Sequence, residues 1–128
     1  MNEITRKKLN LLVHLANVDG SFENSEREVL MSMLKDMGES DLKYPESVDR
    51  VELNDFTDSK ISRHDVLYWA LRLIKADGII HADESAYCKA LAVKLNYKPE
   101  VIDFFITNEL GSRQDFKKKS LEFSSKSA

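Results

Sequence analysis

The chain has 128 residues, of which 42% are hydrophobic and 32% charged, and carries a formal net charge of −3 at pH 7. That size and balance describe one soluble globular domain, able to bury roughly 65–70% of its unfolded surface without a disulfide or metal staple. They exclude a general nucleic-acid binder, which needs a basic face, and no apolar run approaches the roughly 20 residues of a membrane-spanning helix.

The first 20 residues, MNEITRKKLNLLVHLANVDG, hold a few cations and then apolar residues interrupted by Asn10, His14 and Asn17. No small-residue cleavage site follows, so the stretch reads as helix and not as a signal peptide. Ile4, Leu11, Leu12, Leu15 and Val18 recur at helical spacing and predict a first helix from about residue 3 to 18, broken by Gly20. Phe22, Val29, Leu30, Met33, Leu34 and Met37 mark one stripe of a second helix, which Gly38 stops. Between Glu39 and Ser59 the pattern weakens. Pro45 could open a helical turn there, and the alternation Val51-Glu52-Leu53 is too brief for a strand.

Ile61, Val66, Leu67, Trp69, Ala70, Leu71, Leu73 and Ile74 cover most of the circumference of a third helix, which places it at the centre of a bundle, with Gly78 ending it. A fourth helix carries Tyr87, Cys88, Leu91, Ala92 and Leu95, and Asn96 supplies a left-handed residue to close it. Pro99 opens a fifth helix through Val101, Phe104 and Phe105 to about Leu110, with Gly111 as its stop. Residues 1–111 thus read as the domain. Residues 112–128, with the run Lys117-Lys118-Lys119 and a serine-rich end, read as a polar, partly disordered tail that could hold a short helix through Phe116 and Leu121. The expected fold is an all-α, single-domain bundle of about five to seven helices.

Two segments repeat at an offset of 58 residues, LANVDGSFENSERE from Leu15 and LIKADGIIHADESA from Leu73. Both read Asp-Gly-x-apolar-x-x-x-Glu at a helix–turn–helix junction: Asp19 pairs with Asp77, Gly20 with Gly78, Phe22 with Ile80 and Glu26 with Glu84. Two copies in one context point to duplication and a pseudo-twofold packing of helix pairs. On one reading, glycine closes a helix, the apolar residue pins the turn, and glutamate sits in the next first turn, where the macrodipole favours a carboxylate by about 0.3–1 kcal/mol. On another, a divalent cation lies among the helix-end carbonyls, Asp19, Glu26, Asp77 and Glu84, all hard oxygen ligands. The aspartates favour the second reading, because a carboxylate is disfavoured at the C-terminal end of a helix. An EF-hand is excluded. With Gly20 and Gly78 as loop position six, positions one and three hold Leu15 and Asn17 in one copy and Leu73 and Lys75 in the other.

The two Asp-Gly and Glu junctions, with Lys94-Leu95-Asn96-Tyr97-Lys98-Pro99-Glu100 after the second, resemble the TerB-like family of tellurite-resistance proteins. The likeness runs from about Asn10 to Phe105 and is strongest over Leu67 to Phe105. It implies a pseudo-twofold helical bundle, an acidic surface that binds a divalent cation (calcium or magnesium), and a place in chemical-stress responses or in larger, often membrane-linked, assemblies. Carried over, the ligand set is Asp19, Glu26, Asp77 and Glu84, with Glu23 and Asp83 as secondary acids. This chain departs from the pattern at His81, Ala82, Asn24 and Ser25, where further acids would stand, which weakens the site or leaves one copy competent.

His81 could be a nitrogen ligand but reads more simply as an exposed turn residue, and His14 and His64 lack a partner pattern. The lone Cys88 excludes an internal disulfide, fits a reducing compartment, and on an apolar helix face reads as a buried small hydrophobe. No Ser/His/Asp or Cys/His arrangement, phosphate-cradling loop or zincin motif is present. The expectation is a cytoplasmic, non-enzymatic module that binds a divalent cation and serves a stress response or an assembly. The alternative is a metal-free helical module for protein–protein interaction.

Overall fold

The computed structural model describes residues 3–18, 24–36, 62–76, 78 and 80–125. They form six α-helices and a final 3-10 turn: α1 (Glu3–Ala16), α2 (Asn24–Asp36), α3 (Arg63–Ile74), α4 (Ala82–Lys94), α5 (Glu100–Thr107), α6 (Arg113–Ser120), then Leu121–Phe123. Among the described residues there is no strand beyond one isolated antiparallel bridge between Tyr97 and Ser124, so the fold is all-α. No helix among them is long and apolar enough to cross a membrane.

The helix with apolar residues on most sides lies where that pattern requires. α3 buries Val66, Leu67, Trp69, Ala70, Leu71, Leu73 and Ile74, and it touches each of the other five α-helices. Around it pack Leu11, Leu12 and Leu15 from α1, Leu30 and Met33 from α2, Leu91 from α4, Phe105 from α5 and Phe116 from α6, each essentially inaccessible to water. Burial of each such side chain contributes about 1.5–3 kcal/mol before the entropy of ordering is set against it.

Helix ends follow local chemistry. α4 closes in a Schellman arrangement: Asn96 takes φ 66°, its N–H reaches Val93 O, and Tyr97 N–H reaches Ala92 O at 2.9 Å. Gly78 takes φ +79°, a conformation that strains any side chain, after donating its N–H to Lys75 O. α5 stops at Thr107, short of the expected Leu110, because Asn108 turns extended and its side-chain amide bonds Phe104 O. Gly111, expected as the stop of α5, instead precedes the Ser112 cap of α6. Gly20, Gly38, Pro45 and the Val51–Leu53 alternation lie outside the described residues.

Residues beyond 111 pack against the helices before them. Ser112 caps α6 by accepting the Asp115 N–H, and Phe116 enters the core with its ring 4.7 Å from that of Phe105. Beyond α6, Lys98 N–H bonds Phe123 O and Ser125 N–H bonds Asn96 O, clipping the chain to the α4–α5 turn. Arg63 braces that clip by donating to Leu95 O, Asn96 O and Ser124 Oγ while its guanidinium lies 4.4 Å from the Tyr97 ring centre. The packed unit therefore reaches Ser125.

Several helix limits coincide at the 58-residue offset. α2 begins and ends 58 residues before α4, and α1 ends 58 residues before α3 ends. Leu9, Leu11, Val13, Leu15 and Ala16 correspond at that offset to Leu67, Trp69, Leu71, Leu73 and Ile74, and all ten are buried. In the following helices Glu26, Leu30 and Met33 correspond to Glu84, Cys88 and Leu91, again all buried.

Candidate functional site

Glu26 and Glu84 each occupy the third position of a helix that follows one of the repeated turns. Each is only 3% exposed. For Glu84 the local cause is visible: His81, extended at φ −80° and ψ 150°, is the N-cap of α4, and its N–H donates to Glu84 Oε1 at 3.1 Å. The carboxylate thus satisfies a donor just ahead of the helix and sits at the positive end of the macrodipole, as the capping chemistry of the motif requires. The first main-chain bond of α4, Ser85 N–H to His81 O, closes the same turn.

Of the remaining candidates, Asp83 is exposed on the first turn of α4, one residue from Glu84 but turned to solvent. Asp19, Glu23 and Asp77 lie outside the described residues. Among the described residues, no three of His, Cys, Asp and Glu come together as a metal-binding group.

Asn17 and Lys75, which stand where an EF-hand would place a ligand, are engaged elsewhere. Asn17 Nδ2 donates to Val13 O at 2.8 Å, closing the end of α1. Lys75 Nζ donates to Phe105 O and Asn108 O, both at 2.6 Å, and so places a cation at the C-terminal end of α5. His81 is exposed, as a turn residue should be. Cys88 lies one turn beyond Glu84 and is fully buried; burial, with the Glu84 charge behind it, drives its thiol far above the usual range and leaves it a non-nucleophilic hydrophobe. The Tyr87 ring lies tilted beside that of His14, 5.1 Å between centres, and burial pushes its hydroxyl up to about 12.

A second polar cluster had no signal in the sequence. Lys8 Nζ on α1 pairs with Asp65 Oδ2 on α3 at 2.6 Å, with both side chains mostly buried. Arg113 on α6 bonds Asp36 on α2 and approaches Asp65 Oδ1 at 3.6 Å. The guanidinium groups of Arg72 and Arg113 lie 4.6 and 5.5 Å from the Trp69 ring centre. The Lys8–Asp65 and Arg113–Asp36 pairs span 57 and 77 residues, so only the tertiary fold brings them together. Their geometry ties α1, α2 and α6 to α3, and is structural.

A comparison with protein-family models, with curated proteins and with solved structures finds no match to this chain.

Proposed function

We propose that the chain is a non-enzymatic helical module, similar to the TerB-like family, that holds a divalent cation, calcium or magnesium, at its repeated turns. Asp19 and Glu26 would serve one turn and Asp77 and Glu84 the other, with Glu23 and Asp83 as secondary acids. The observation that supports this reading is the matched burial of Glu26 and Glu84 at one register of two helix pairs. Carboxylates are hard oxygen ligands for calcium and magnesium, and each glutamate stands six residues after the glycine of its Asp-Gly pair. The module would act in the cytoplasm, in a stress response or as part of a protein assembly that is membrane-linked without being inserted itself. Its two helix pairs would be related by a pseudo-twofold axis.

The test is equilibrium unfolding of chelator-stripped protein with and without 10 mM calcium or magnesium (about 10 mM suffices for a site of 10⁻⁴–10⁻³ M). Binding at that strength raises stability by about 1.4–2.7 kcal/mol, and Asp19→Asn and Asp77→Asn should each remove part of the gain. Equal curves with and without ion would sink the cation reading.

The His81 N–H to Glu84 bond favours a second reading. In it the motif is turn chemistry, the glutamates are caps, and the chain is a metal-free module that binds a protein partner through a helical face. That reading predicts ion-independent unfolding together with a stability loss on removing either glutamate.

A further inference from the structure

We draw no further inference here: the strongest candidate, the apolar crevice between α1, α2 and α3 lined by Lys8, Leu11, Leu12, Met33, Val66 and Trp69, carries none because its apolar lining is buried and leaves no room for a ligand.

Discussion

A buried carboxylate must be offset by hydrogen bonds or positive charge, and this chain makes that placement twice, at Glu26 and Glu84. At Glu84 one offset is explicit, since Oε1 accepts the His81 N–H. Glu84→Ala should therefore cost about 0.5–2 kcal/mol in denaturant unfolding, while Glu84→Gln, which keeps the acceptor, should cost less. Equal losses in the two variants would show that charge, not capping, sets the role of this residue. His64 gives a pH signature. Burial, then the charge of Lys117 with Arg113 and Lys8, holds its imidazole below the ordinary 6.5 against the opposing pull of Asp65. Protonation then costs more in the folded than in the unfolded chain, so the His64 contribution is complete above pH 6.5 and is lost as the pH falls below it. Stability measured across that range should fall less steeply in His64→Asn than in the parent, and parallel curves would contradict the assignment. The Asp-Gly-to-Glu spacing made the glutamate positions legible beforehand. The Lys75 contact with the end of α5 was not, because its acceptors lie 30 and 33 residues further on.

At the scale of elements, the sequence was most readable where one helix carries its own instructions. The apolar pattern of α3 announced a central helix, and the left-handed Asn96 ahead of Pro99 announced the α4–α5 turn. α6 was harder to read. Only Phe116 and Ser120 of its eight residues are buried, and its last turn holds Lys117, Lys118 and Lys119, so its composition is that of a solvated tail. Those lysines sit at the negative end of the helix macrodipole, and the Ser112 cap and the single buried ring do the rest. Phe116→Ala should therefore lower unfolding stability by about 3–5 kcal/mol, whereas Lys118→Ala should change it by less than about 0.5 kcal/mol. If Phe116→Ala unfolds like the parent, α6 is dispensable to the domain and the boundary at residue 111 stands. α5 was misjudged at its end for a related reason: Ile106 and Leu110 continue the apolar pattern and both pack partly against the core, but Asn108 breaks the helix between them.

For the whole molecule, several helix limits and buried positions coincide at the offset that the motif marks in the sequence. The ends of α1 and α3, both limits of α2 and α4, and several buried positions match at the 58-residue offset, although the paired residues often differ, as with Leu11 and Trp69 or Leu30 and Cys88. Burial constrains volume and polarity more than identity, so positions that match in burial need not match in residue. The half containing α3–α4 is further covered by α5, α6 and the Arg63-braced clip at Ser124. In the proposed function the two repeated turns are cation sites. It is tested most directly by amide NMR shifts of chelator-stripped protein during a calcium and magnesium titration, with Asp19→Asn and Asp77→Asn alongside. The account predicts saturable shifts centred on residues 19–26 and 77–84, each set weakened in its own variant. Flat spectra up to about millimolar ion, the weak end of such sites, would contradict it and leave the repeated turns as helix-closing chemistry.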